Sequence, residues 1–123
     1  IAGDLGVHVA ATNTGLQLGS QVAVITAQLI TTSTSPGVIT TTTRNSMTGS
    51  ITIKDNVTNA FHTVNFTALR NGATAMLTTY GELYTASALA TFTADISGAN
   101  MRFLVTPAST NTTTFSVSRT SIT

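Results

Sequence analysis

Asn71-Gly72, set between two arms of alternating residues, constrains the fold of this chain more than any other feature. Both central residues of a two-residue type I′ turn need positive φ, which asparagine and glycine tolerate best. The dipeptide therefore predicts a β-hairpin across FHTVNFTALRNGATAMLTTYGELY, residues 61–84. Such a turn fixes the register. It sets Arg70 opposite Ala73, Ala68 opposite Ala75, Phe66 opposite Leu77 and Val64 opposite Thr79. Val64, Phe66, Ala68, Ala75 and Leu77 then share an apolar face, with Thr63, Asn65, Thr67, Thr74 and Thr78 on the other. Leu69 and Met76 also fall on the threonine side, which predicts that this side is partly covered by a second layer or a partner.

The same alternation recurs on both sides of the hairpin. Ile51 and Ile53 alternate with Ser50, Thr52 and Lys54 before a polar turn at 55–59, and Phe92, Ala94 and Ile96 alternate with Thr91, Thr93 and Asp95 before the turn Ser97-Gly98-Ala99-Asn100. Met101, Phe103 and Val105 share a face, 107–111 reads as another turn, and Phe115 with Val117 supplies the last apolar pair. Strands at this spacing predict an all-β chain, a single antiparallel β-sandwich of jelly-roll-like or Greek-key type over residues 1–123. The segment 1–45 is less well defined. Residues 7–11 and 21–30 read as strands, with a short helix allowed only at 22–30, where Val and Ile favour strand. Gly15, Gly19 and Pro36-Gly37 punctuate this part, while 31–35 and 40–43 read as loop and edge.

Charge is scarce. Asp, Glu, Lys and Arg make up 7% of the 123 residues, against roughly 25% in an ordinary soluble domain. Threonine fills the deficit at about a quarter of the chain, and its β-branched, hydroxylated side chain suits a strand face that is half packed and half wet. A polar but uncharged exterior gives little repulsion between copies, so a homo-oligomer is expected. The five basic residues, Arg44, Lys54, Arg70, Arg102 and Arg119, lie far apart in sequence, which argues against nucleic acid as a partner. With no cysteine, neither a disulfide framework nor a thiolate metal site is possible. No apolar run approaches the roughly 18–20 residues of a membrane-spanning helix, so no membrane partner is expected, and no signal-peptide pattern stands at the start. The first residue is Ile1 rather than an initiator methionine, as in a processed chain or one excised from a longer polypeptide.

Groups for acid–base or metal chemistry are few. Asp4, Asp55, Glu82 and Asp95 are scattered, and Asp55 and Asp95 stand where aspartate favours turns. His8 and His62 have no zinc-type spacing, and His62 reads as a partly exposed histidine at a strand start. No nucleophile elbow and no phosphate-binding glycine loop occurs; Gly3, Gly6, Gly15 and Gly19 read as turn or bulge residues. The sequence thus predicts no catalytic residues, no metal site and no cofactor. The three Asn-x-Thr tripeptides at Asn56, Asn65 and Asn111 are what a threonine-rich chain produces by chance. Lys54, Glu82 and an asparagine are available for an isopeptide crosslink, but an exposed lysine guarding a strand edge is the simpler reading. Tyr80 and Tyr84 offer a small aromatic contact surface for a sugar or protein, against the simpler reading of a turn that packs both rings on the sheet margin.

Two stretches, SITIKDNVTNAFHTVNFTALRNGATAMLTTYGELYT and LATFTADISGANMRFLVTPASTNTTTFSVSRTSI, carry a family likeness. Through Tyr80-Gly81, Phe92, 94–98, Asn100, Arg102, Thr106-Pro107-Ala108, Phe115 and Arg119-Thr120, the chain from about Met47 onward resembles a tail-fibre-like domain of virion structural proteins. These belong to marine tailed bacteriophages, including those of cyanobacteria. The resemblance implies a non-enzymatic structural role on the virion surface, outside the cell, as a tail-fibre or appendage domain or else a head-decoration (capsid decoration) subunit. Its implied partners are copies of itself, other virion proteins and a host surface glycan or receptor. No family catalytic residues exist to carry over, and the matching Arg102 and Arg119 are expected to hold carboxylates such as Asp95 or to cap carbonyls. Rival readings are a subunit of a cellular surface filament assembled by strand exchange and a carbohydrate-binding module. The absence of tryptophan counts against the module. An enzyme ranks last.

Overall fold

The computed structural model describes residues 16–18 and 22–123, with side chains from residue 23 onward. Within them run nine strands and no helix: β1 (Leu16–Leu18), β2 (Val22–Thr31), β3 (Gly37–Thr42), β4 (Ser46–Asp55), β5 (Ala60–Asn71), β6 (Thr74–Tyr84), β7 (Ala90–Ser97), β8 (Asn100–Pro107) and β9 (Thr113–Ile122). Two antiparallel sheets face each other, one ordered β1-β2-β9-β4-β5-β6 and the other β3-β8-β7. The expected single antiparallel sandwich is therefore the observed fold. Strands β4, β5 and β6 follow one another as hairpins, and β9 returns beside β4 after the chain has crossed to the small sheet for β7 and β8. That order, β9-β4-β5-β6, is a Greek key.

Each strand buries one face because its side chains alternate. In β4, Met47, Ile51 and Ile53 are buried between exposed Thr48, Ser50 and Thr52; in β5, Val64, Phe66 and Ala68 are buried. Met101, Phe103 and Val105 of β8 meet them from the small sheet, and Phe115 and Val117 of β9 complete the layer. At the centre, the Phe66 and Phe103 rings stack at 4.1 Å. Residues 22–30 resolve as strand, since β2 pairs with β9 along its whole length. Residues 37–42, read in part as loop, form an edge strand on β8. The predicted strand at 7–11 lies outside the described residues.

The hairpin keeps its predicted faces but not its predicted register. Asn71 pairs with Thr74, Arg70 with Ala75, Ala68 with Leu77 and Phe66 with Thr79, so the turn residues are Gly72 and Ala73. Gly72 has φ 62° while Ala73 is not among the residues of positive φ, and a left-handed first central residue alone is the pattern of a type II′ turn, which takes glycine there. Because the slip is by two residues, every side chain stays on its predicted face. A second correction concerns 80–84, read as a turn. The strand continues there through a β-bulge in which Gly81 and Glu82 together oppose Val64, with Gly81 at φ 64°.

Candidate functional site

The bulge in β6 brings a carboxylate onto a buried histidine. Beyond it the alternation of β6 is reset, and Glu82 turns inward against His62 of β5, Nε2 to Oε2 2.7 Å. His62 is buried, not partly exposed as its place near a strand start implied, because it shares the parity of Val64 and Phe66. Its Nδ1 accepts the backbone N–H of Leu89 at 3.1 Å, so the ring proton of this tautomer sits on Nε2 and is donated to Glu82. The Tyr84 ring meets the imidazole edge-on at 5.5 Å. With both ring nitrogens occupied, His62 anchors the loop between β6 and β7 and has no lone pair free to take a proton from a substrate.

The other charged groups join strands and loops to one another. Asp55 ends β4; its Oδ1 accepts the N–H groups of Val57 and Thr58, and its Oδ2 accepts Asn111 Nδ2 at 2.9 Å. These bonds, that from Asn111 foremost, hold its carboxyl below the usual aspartate range against the opposing effect of burial. Asp95 faces Arg102 across β7 and β8 in a bidentate pair of 2.7 and 2.6 Å, and the guanidinium lowers the Asp95 pKa through its hydrogen bonds and its charge. Arg119 of β9 reaches across the sandwich to β3, donating to Thr40 Oγ1, to the Thr41 carbonyl and, on its own strand, to Ser121 Oγ. Burial, and then the charge of nearby Arg44, push the Arg119 pKa down. The bulge at Ile39 in β3 turns Thr40 inward to meet it, and Gly49, paired with Arg119, leaves the space that a Cβ would take from the Ser118 carbonyl and the Arg119 backbone. Of the two arginines expected to hold carboxylates or cap carbonyls, Arg102 holds Asp95 and Arg119 caps the Thr41 carbonyl.

The isopeptide set is not assembled. Lys54 points outward, its Nζ 5.7 Å from the Phe61 ring centroid, while Glu82 points inward. Nor does Lys54 guard an edge, since β4 is flanked by β9 and β5. Tyr80 pairs with Asn65 on the outer side and Tyr84 with His62 on the inner, so the bulge separates the two rings instead of joining them in one platform. Asn56 donates to Thr114 Oγ1 and Asn111 to Asp55, both of them structural bonds.

What remains is the outer face of the large sheet. Strand registers align it in rows: Gln28, Ser116, Thr52 and Thr63 in one, Thr26, Ser118, Ser50, Asn65 and Tyr80 in the next, and Thr120, Thr48, Thr67 and Thr78 in a third. Neighbouring hydroxyls bond across the strands, Thr48 to Thr67 at 3.2 Å and Thr52 to Thr63 at 3.4 Å. Among the described residues Lys54 is the one charged side chain on this face. Toward β6 it turns apolar, with Leu69, Met76, Tyr80, Leu83 and Phe61 all exposed. The alternation of the hairpin had already placed Leu69 and Met76 there.

Asp4 and His8 lie outside the described residues, as do Gly3, Gly6, Gly15 and Gly19. Among the described residues no group of three or more His, Cys, Asp or Glu side chains could hold a metal ion. Comparison with protein-family models, with curated proteins and with solved structures gave no match to this chain.

Proposed function

We propose that this chain is a non-enzymatic structural subunit of the exterior of a tailed-phage particle, a tail-fibre or appendage domain or a head-decoration subunit, working by association with its own copies and other virion proteins. The observation that carries the reading is the outer face of the large sheet, broad, hydroxyl-lined and, among the described residues, charged only at Lys54. Covering such a face takes few ions out of water, and threonine loses less rotamer entropy at a contact than a long charged chain. The resemblance in 80–120 points the same way and supplies the virion setting.

Electron micrographs of the assembled object test this directly. A three-fold spike supports a fibre, an icosahedral array supports decoration, and a helical polymer favours the cellular filament instead. A lysine at Thr67, in the middle of the hydroxyl rows, is expected to hinder assembly without altering the monomer. A chain that stays monomeric at high concentration and hydrolyses glycans, with the activity lost in Glu82→Gln, overturns the reading in favour of an enzyme.

A further inference from the structure

β6 ends the order of the large sheet, and no strand among the described residues pairs with its outer edge. It is eleven residues long and contains neither lysine nor proline, two of the residues that blunt exposed edges. The three other sheet edges differ: β1 has three residues, β3 is interrupted by the bulge at Ile39, and β7 carries one half of the Asp95–Arg102 ion pair. From Thr74 to Tyr80, before its own bulge, β6 is regular. Its outward side there presents Met76 and Tyr80, 48% and 50% exposed, beside Leu69 at 47% on β5. The one charge on the strand, Glu82, is turned to His62.

We propose that residues 74–80 of β6 bind the same segment of a second copy of this chain, antiparallel about a twofold axis at Thr78. The proposal rests on the reading of the chain as a subunit that works by association. Register argues for a copy as the occupant. Pairings that set outward side chains against inward ones are excluded by the pleat, which leaves registers two residues apart. With Thr78 facing Thr78, each Met76 faces a Tyr80, thioether against ring, and the row from Leu69 through Met76 continues into the second copy. A twofold axis at Leu77 sets Met76 against Thr78 and Tyr80 against Thr74, one at Met76 leaves Tyr80 against Gly72 of the turn, and one at Thr79 sets Tyr80 against Thr78 and carries the partner of Met76 past the bulge. Within residues 74–80 the Thr78 register alone gives both Met76 and Tyr80 an apolar partner, and that segment carries no charged side chain, so no like charges meet. Two large sheets then join into one across the particle.

The chain has no cysteine, so a single Thr78→Cys substitution reports on this contact alone. Facing Cα atoms of an antiparallel pair lie about 4.5–5.5 Å apart, within disulfide reach. Under mild oxidation Thr78→Cys is expected to become a covalent dimer, while Thr52→Cys, at the centre of the same face, is not. Met76→Lys, with an unchanged far-ultraviolet spectrum, is expected to weaken self-association at least about tenfold, because the ammonium must leave water in the apolar row. Oligomers in the ultracentrifuge without a Thr78→Cys crosslink, or equal crosslinking by both cysteine variants, overturn this contact and leave the association reading standing. A strictly monomeric chain overturns both.

Discussion

Phe66 and Thr67 are neighbours in sequence and lie on opposite sides of one sheet. Phe66 is fully buried and stacks on Phe103, so Phe66→Ala is expected to cost about 3–5 kcal/mol. Thr67→Ala removes one hydroxyl contact with Thr48 at the surface and is expected to change stability by no more than about 0.5 kcal/mol. Urea unfolding of the two variants measures the contrast, and equal losses would contradict the assigned faces. This much was legible in the alternation alone. The same parity put His62 on the core side, yet its nearness to a strand start suggested exposure; the strand begins at Ala60 and carries His62 under cover. Its partners were not legible. Glu82 reaches it only because a bulge turns the side chain inward, and the Leu89 N–H only because of the path of the following loop.

At the scale of the element, turn chemistry decided what pattern could not. Asn-Gly and Gly-Ala both make two-residue hairpin turns, and the two registers differ by two residues, so the apolar pattern fits either. The observed II′ turn makes a specific claim on Gly72, whose φ of 62° is disfavoured by any Cβ, while Asn71 is an ordinary strand residue. Gly72→Ala is expected to lower stability by about 1–2 kcal/mol, and Asn71→Ala to change it by no more than about 0.5 kcal/mol. Thermal unfolding of the pair distinguishes the registers, because a turn centred on Asn71-Gly72 would penalise both. Gly81 faces a double constraint, a φ of 64° and an Asn65 Nδ2 that would lie 2.8 Å from an added Cβ. Gly81→Ala is therefore expected to disorder the bulge and release Glu82 from His62. In the imidazole NMR signals this is expected to appear as loss of the slowly exchanging Nε2 proton.

For the whole molecule, the few charges matter through where they join the chain. Asp55 ties the end of β4 and its turn to Asn111 in the loop before β9, and Asp95 ties β7 to β8, so both act on the Greek-key crossover and the small sheet it passes through. Both carboxyls titrate lower in the folded chain than their usual value of 3.8, Asp55 through Asn111 and the turn amides, Asp95 through Arg102. A depressed folded-state pKa means that the unfolded chain takes up protons first. The stability these groups supply is therefore fully present above the unfolded carboxylate range and is lost as pH falls through the folded values. From these two carboxyls the midpoint of thermal unfolding is expected to take no pH dependence above about pH 5 and a drop below about pH 4. Asp55→Asn keeps an acceptor for the Val57 and Thr58 amides but cannot titrate, so it is expected to start from a lower plateau and to fall less steeply between pH 4 and 2. A wild-type curve that stays level to pH 2, or a slope that Asp55→Asn leaves unchanged, would remove Asp55 from the account of acid stability.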